Sequence, residues 1–280
     1  MKSGFTLMLC IFQYVCLLAG EVVVVADTTQ KKHKHYLPVL TVDRPDQTDS
    51  PYVIPVGFFQ IETGMQHVWD TYREDDVKYT YRSFAYPNIL LRYGILKRVE
   101  IRLEENYSID RINSHTFLDK EDKTTGWHPT LLAAKVLLLE QKGWRPNVAI
   151  LAKLLTPYHS RKNLVLPYKY APGLVGAFSH SISDRFVLDG SAGGMIDQLT
   201  GKINVNYSLS QAIGLTQKLS MFVELFVFKP AGEQAQYATD IGFLYMAFPH
   251  IQVDLYASKS LSYHAANLFA GAGIGIRLPR

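Results

Sequence analysis

The feature that most constrains this chain is an alternation of apolar and polar residues that recurs from Gly57 onward. One example is the run in which Ile203, Val205, Tyr207 and Leu209 alternate with asparagine and serine residues. Successive side chains of a β-strand point to opposite faces of the sheet, so each alternating set shares one face. The pattern therefore predicts an all-β fold with one polar and one apolar face per strand.

About twelve such runs follow one another, and their connections are short and long in strict turn. The short connections are residues 96–98, 140–146, 183–185, 216–218 and 247–250, and the long ones are residues 70–80, 107–129, 156–169, 197–202, 229–237 and 258–267. This order is typical of a transmembrane antiparallel up-and-down β-barrel, which has short turns at one end and longer loops at the other. A soluble sandwich or lipocalin-like barrel also alternates in polarity, but its connections need not alternate in length.

No segment after the N-terminus is apolar enough for a transmembrane helix. The most apolar stretch, residues 131–139, has nine residues and contains Lys135, whereas a spanning helix needs about 20. A mature chain that enters a membrane must then do so as a closed barrel, because open sheet edges leave backbone groups unsatisfied in hydrocarbon. We predict that this barrel occupies residues 57–280.

Residues 1–26 have the pattern of a secretory signal peptide. An apolar run at residues 5–18 follows Lys2, and cleavage is expected after Ala26 or, alternatively, after Gly20. An uncleaved N-terminal anchor is the other interpretation. A cleaved signal on a barrel predicts export to the outer membrane of a Gram-negative-type bacterium.

Both cysteines of the chain, Cys10 and Cys16, lie in this leader. The mature chain would therefore contain neither a disulfide nor a thiolate metal site. We expect no metal and no cofactor. The formal charge of +4 is too small to indicate a nucleic-acid partner.

Residues 27–56 differ from the rest because prolines and turn-forming residues exclude a central strand or a helix. Within them lies the segment 41–51, and its residues of interest are Arg44, Pro45, Asp46, Thr48, Asp49, Ser50 and Pro51. This segment precedes the first strand at the expected periplasmic end. We hypothesise that it folds into the barrel mouth as a plug or constriction; a solvent-exposed periplasmic strap is the alternative.

The segment 41–51, followed by Pro55-x-Gly57-x-x-Gln60-x-Glu62-x-Gly64, resembles the start of the family called putative MetA-pathway of phenol degradation. The Asn88-x-Leu90-Leu91-Arg92-Tyr93-Gly94 motif and the turn at residues 183–185 fit the same family. The resemblance covers the chain from about Thr41 to its end. It implies an outer-membrane barrel with a role in moving aromatic or other hydrophobic small molecules.

The polar faces of the strands would line the barrel interior. They carry seven acids and four bases, namely Glu62, Arg92, Glu100, Arg102, Glu104, Lys135, Lys153, Asp189, Glu224, Asp240 and Asp254. Twelve strands fall between the filled barrels of eight and the water-filled ones of sixteen or more. These charges could therefore line a small pore or form a salt-bridge network that closes it.

The sequence thus predicts a channel or transporter-like barrel for small solutes, hydrophobic or aromatic by resemblance only. A non-conducting structural or adhesion barrel is the alternative, and an outer-membrane hydrolase using His180 or His264 is a third. We expect no enzyme, because alternation places His180 on the outward face. The expected partners are outer-membrane lipid, a small solute and the barrel-assembly machinery.

Overall fold

The computed structural model describes residues 40–44, 47–74, 76–115, 120–161, 169–262 and 268–278. All of them belong to one compact unit, Leu37–Arg280. The other unit, Met1–Tyr36, lies outside the described residues, and so does the predicted signal peptide. Within the described ranges, no helix is long and apolar enough to cross a membrane.

The described residues form a single antiparallel sheet that closes on itself. Its strands are β1 (Phe59–Glu74), β2 (Val77–Leu96), β3 (Val99–His115), β4 (Lys120–Trp127), β5 (Leu131–Leu139), β6 (Asn147–Leu155), β7 (Ala171–Ser181), β8 (Phe186–Ile196), β9 (Ile203–Gly214), β10 (Leu219–Lys229), β11 (Gln236–Phe248), β12 (Ile251–Ser260) and β13 (Leu268–Leu278). Strand β1 pairs with β2 along one edge and with β13 along the other, which closes the barrel.

The barrel has twelve strand positions, as the sequence predicted, although one position holds two strands. Strand β4 pairs with residues 107–114 of β3, and β5 pairs with residues 99–104 of the same strand. The two therefore lie end to end beside β3, separated by residues 128–130. We call the end with the tight connections the short-turn end and the opposite end the long-loop end.

Two of the predicted long loops are wrong, because most of their residues are strand. Residues 70–74 pair with 77–81, so only residues 75–76 connect β1 to β2. Residues 107–114 and 120–127 likewise form a ladder rather than a loop. We attribute the error to the surroundings of these extensions, which project past the apolar part of the barrel. Beyond the hydrocarbon of the membrane, the outward face of a ladder has no need to be apolar.

The outer surface of the barrel is apolar. Outward side chains exposed on it include Leu132, Val136, Ile150, Leu174, Leu209, Val223, Ile241, Phe243, Val253 and Leu255. An exposed apolar surface of this extent marks a membrane contact. Strands β5 and β6 have nine residues each, close to the roughly 9–11 that a tilted transmembrane strand needs.

Candidate functional site: the barrel interior

Residues 40–44 and 47–56, which we call the N-terminal segment, lie inside the barrel. Leu40, Ile54 and Pro51 are buried there. The segment enters from the short-turn end, where Gly57 donates its N–H to the carbonyl of Gly94. Its side chains and backbone then bond to inward-facing groups around the wall. The candidate site is therefore the contact between this segment and the barrel.

Asp43 is the centre of the largest cluster of charges. Its Oδ2 lies 2.8 Å from both Arg102 and Lys135, and its Oδ1 lies 3.4 Å from Arg92. The carboxylate is only 4% exposed. A buried carboxylate is tolerated only when it is paired and hydrogen-bonded. Ser50 supplies a further hydrogen bond by donating its hydroxyl to Asp43.

Arg92 links the wall to the segment from the centre of this cluster. It is fully buried and contacts Glu62 at 2.9 Å and Glu100 at 3.0 Å. Both glutamates also accept hydrogen bonds from the segment backbone, Glu62 from the N–H of Asp43 at 2.9 Å and Glu100 from the N–H of Ile54 at 2.7 Å. The backbone of the segment is thus fixed by carboxylates that Arg92 holds in place.

Asp49 makes a second contact with the same side of the barrel. It accepts a hydrogen bond from Lys153 at 2.7 Å and lies 3.5 Å from Arg102. Glu104, another predicted interior residue, lies 3.7 Å from Arg102. We call strands β2–β6, which carry these residues, the mixed wall, because it presents Arg92, Arg102, Lys135 and Lys153 together with Glu100 and Glu104.

The opposite side, strands β8–β12, presents only acids among its described inward charges, and we call it the acidic wall. Thr48 donates its hydroxyl to Glu224, and the N–H of Gln47 donates to the same carboxylate at 2.8 Å. Arg44 lies 3.7 Å from Asp254. The segment therefore turns its acids toward the mixed wall and its arginine toward the acidic wall.

The remaining predicted interior residues also lie on the acidic wall. Asp240 is 2% exposed and stands directly opposite Glu224 in the pairing of β10 with β11. Asp189 pairs in register with Ser179 of β7, whose side chain is buried and bonds to Tyr52 of the segment at 3.0 Å. Pro45 and Asp46, which the sequence also singled out in the segment 41–51, lie outside the described residues.

Glycines make room for the segment at the seam where β13 meets β1. A Cβ on Gly273 would lie 2.6 Å from Arg44 Nε, and one on Gly64 would lie 2.3 Å from another nitrogen of the same guanidinium. A Cβ on Gly275 would lie 2.7 Å from Val42. These distances are shorter than the van der Waals contacts of carbon and nitrogen atoms. The seam therefore has room for the N-terminal segment only while these three positions are glycine.

A cavity of about 290 Å³ remains beside the segment, toward the long-loop end. Its lining is polar and charged, and it includes Arg102, Glu104, Lys153, Asn106 and Tyr256. A volume of this size is near the lower end of small-molecule sites, which begin at about 300 Å³. The interior is thus incompletely filled by the segment.

Sequence reasoning missed one interior charge, Arg277. It is 2% exposed and donates from Nε to Gln60 at 3.0 Å. The signal was available, because Gly271, Gly273 and Gly275 occupy alternate positions of one strand face, and Arg277 continues that series.

Sequence reasoning also missed a cluster of polar residues at the long-loop end, where Arg161 contacts Asp110. Burial would raise the pKa of Asp110, but hydrogen bonds from Ser83 and Arg161 outweigh it and hold the pKa below its ordinary value. Ser108 and His128 complete the cluster, with Oγ and Nε2 2.8 Å apart. Nη1 of Arg161 also lies 2.5 Å from Nε2 and 3.4 Å from Nδ1 of His128, whereas a catalytic histidine is oriented by a carboxylate.

Comparisons with known proteins agree with this architecture. The chain is similar to the COG4313 outer membrane channel from Pseudomonas putida F1, with 13% identity and a TM-score of 0.65 over 85% of this chain and 100% of that one. It is also similar to the translocator domain of the autotransporter NalP from Neisseria meningitidis, with 11% identity and a TM-score of 0.51 over 79% of this chain and 88% of that one.

A third structural likeness is to the transport unit of the autotransporter AIDA-I from Escherichia coli, with 10% identity and a TM-score of 0.50 over 86% of this chain and 93% of that one. The search of curated proteins gave no match. One family model matches residues 42–278, and its description is "Putative MetA-pathway of phenol degradation". That match spans nearly all of the barrel and the N-terminal segment, so the chain belongs to this family of outer-membrane β-barrels.

Proposed function

We propose that this protein is an outer-membrane channel for small solutes, and that the N-terminal segment constricts its interior. The observation that carries the proposal is the combination of a polar cavity of about 290 Å³ with a segment held across the barrel by side-chain bonds. A barrel filled by its own wall would have neither. The similar barrel from Pseudomonas putida is named an outer membrane channel.

The side chains that line the cavity indicate which chemical class of solute it would accept. Its lining of Arg102, Lys153, Glu104 and Asn106 offers hydrogen bonds, and Tyr256 and Leu90 offer apolar contact. A pure hydrocarbon in this cavity would remove water from charged groups without replacing their hydrogen bonds, which costs free energy. We therefore favour small aromatic solutes with a polar substituent, a class that includes the phenols of the family description.

We propose the following organisation for the whole chain. Residues 1–26 are a cleaved signal peptide, residues 27–56 are a periplasmic segment that includes the constriction, and residues 57–280 are the barrel. The short-turn end then faces the periplasm of a Gram-negative-type cell. The barrel-assembly machinery inserts the barrel, and transport requires no catalytic residue.

Cysteine pairs offer a direct test of whether the segment must move. Thr48 Oγ1 lies 2.8 Å from Ser208 Oγ on β9, so Thr48→Cys with Ser208→Cys brings two thiols into contact. The matched control is Ser191→Cys with Ser208→Cys, because these hydroxyls lie 2.7 Å apart on neighbouring strands of the wall. Single-channel currents would be recorded in planar bilayers before and after reduction.

We expect the oxidised Thr48–Ser208 pair to suppress the current and reduction to restore it, while the control pair conducts in both states. Equal currents in both states of both pairs, with disulfide formation verified, would show that the segment does not move during conduction. A heat-modifiable gel shift would verify that each barrel is folded.

The non-conducting alternative also has an observation in its favour, namely the buried ion network around Asp43. Such a network could hold the barrel permanently closed. The same recordings separate the two functions, because a barrel that this network closes permanently gives no current steps from the wild type or from the reduced pair.

A further inference from the structure

Strands β1 to β4 continue beyond the membrane at the long-loop end, and their outward face is basic. The pairing places Arg82 opposite Arg111, and Arg111 opposite Lys123, so three cations stand in one row across three strands. Two rows further from the barrel, Arg73 stands opposite Lys78, and Lys78 stands opposite His115. All six side chains are exposed.

The direction of this face follows from the register. Ser83 and Asp110 point inward, since they bond to each other at 2.5 Å and Asp110 also contacts Arg161. The neighbouring residues Arg82 and Arg111 therefore point outward.

Acids of the extension lie mostly on the other face. Asp110 points inward, and Asp122 shares its side because it pairs with Ile112, two residues from Asp110. On the outward face, Glu121 lies 3.9 Å from Arg111, and Glu105 accepts a hydrogen bond from Thr130 at 2.6 Å. The outward charge of the extension is consequently positive.

Aromatic side chains lie immediately below the row. Phe84 pairs with His67 in the next outward-facing row toward the barrel, and Trp127 pairs with Tyr107 in the row after that. Phe84 and Trp127 are 40% and 37% exposed. Aromatic residues of barrels gather at the membrane interface, so the basic row stands at the height of the lipid headgroups.

We propose that Arg82, Arg111 and Lys123 form a docking surface for phosphate-bearing lipid headgroups of the outer leaflet. Like charges directly opposite each other on neighbouring strands destabilise a sheet. An anionic headgroup laid across the row offsets this repulsion, and Arg is suited to bind phosphate through two parallel hydrogen bonds. The surface follows from the position of the barrel in a membrane and does not depend on whether the barrel conducts.

The test uses the purified, folded protein in neutral detergent and a fluorescent lipid whose disaccharide headgroup carries two phosphates. Each basic side chain near an anionic surface contributes roughly fivefold in affinity, so Arg82→Gln with Arg111→Gln and Lys123→Gln should weaken binding on the order of 100-fold. If the triple variant does not fold, the single change Arg82→Gln replaces it, and it should weaken binding of the lipid about fivefold.

The matched control removes three exposed cations from the opposite rim, through Lys97→Gln, Arg185→Gln and Lys218→Gln. We expect this variant to bind the lipid like the wild type. Equal affinity of the Arg82 variants and the wild type would overturn the proposal. Tight binding of the same phosphorylated disaccharide without acyl chains would also overturn it, in favour of a site for soluble anions.

Discussion

The two walls of the barrel interior hold the N-terminal segment in different ways. On the mixed wall, Asp43 meets three cations at 2.8–3.4 Å. On the acidic wall, Arg44 and Asp254 lie 3.7 Å apart, and the closer bonds come from Thr48 and the N–H of Gln47. The order of charges along the segment matches the order of charges around the barrel. Charge complementarity therefore orients the segment, with most of the strength on the mixed wall.

The largest expected effect comes from Asp43→Asn. Loss of this carboxylate leaves Arg92, Arg102 and Lys135 buried with less compensation, and breaking a buried ion pair typically costs about 3–5 kcal/mol. We expect a fall of that order in the free energy of unfolding, measured by urea titration of the refolded barrel. Asp184→Asn, at an exposed short turn, is the control. Similar stabilities for the two variants would mean that the mixed wall does not anchor the segment.

A somewhat smaller effect is expected when the glycine seam is filled. Gly273→Ala places a Cβ 2.6 Å from Arg44 and 2.8 Å from the carbonyl oxygen of Thr63, and overpacking typically costs about 1–3 kcal/mol. The displaced segment should make a Thr48→Cys thiol react faster with a water-soluble maleimide. Gly176→Ala is the matched control, since its Cβ would meet no atom closer than 3.8 Å. Equal labelling rates would argue against the seam as a seat for Arg44.

The contrast between the walls can be measured as two coupling energies. Double-mutant cycles isolate the pairwise contribution of residues in contact. We expect a larger coupling for Asp43 with Arg102, at 2.8 Å, than for Arg44 with Asp254, at 3.7 Å and with Arg44 14% exposed. A larger coupling energy for Arg44 with Asp254 than for Asp43 with Arg102 would contradict the difference between the two walls.

The smallest effect is a pH dependence at the long-loop end of the mixed wall. Burial and the charge of Arg161 lower the pKa of His128 from its ordinary 6.5. The folded cluster therefore favours the neutral ring, so its stability is full above pH 6.5 and declines as the pH falls below that value. A spin label on Tyr158→Cys, in the loop that carries Arg161, should become more mobile at low pH. His128→Gln should abolish the change; persistence of the change in that variant would contradict the assignment.

Much of the fold could be predicted because membrane strands have a strict polarity rule. The alternation of polar and apolar residues in β9 and β10 predicted both strands and the face of each that points inward. It also predicted, without other information, that Glu224 faces the interior. The rule is weaker where strands extend past the hydrocarbon of the membrane, which is why the loops predicted at residues 70–80 and 107–129 are largely strand. Arg277 was missed although it continues the inward series of Gly271, Gly273 and Gly275, because glycines mark a strand face less clearly than polar side chains do.

The contacts of the N-terminal segment could not be derived from the sequence. Its composition showed that it is irregular and charged, but nothing in the alternation specifies which acid meets which cation. That pairing depends on the three-dimensional separation of β3, β5 and β6, which brings Arg102, Lys135 and Lys153 to one side of the interior. The gap left by Gly64 and Gly273 is likewise a property of two strands that are distant in the chain.

The most direct test of the central claim exchanges the two adjacent charges of the segment, with Asp43→Arg and Arg44→Asp in one chain. Composition and net charge stay the same, and only the order of charges relative to the two walls is reversed. Single-channel conductance of the folded variant in planar bilayers would be compared with that of the wild type. If charge order holds the segment across the barrel, the exchange should release it and give larger current steps. Steps of unchanged size from a correctly folded barrel would contradict the claim.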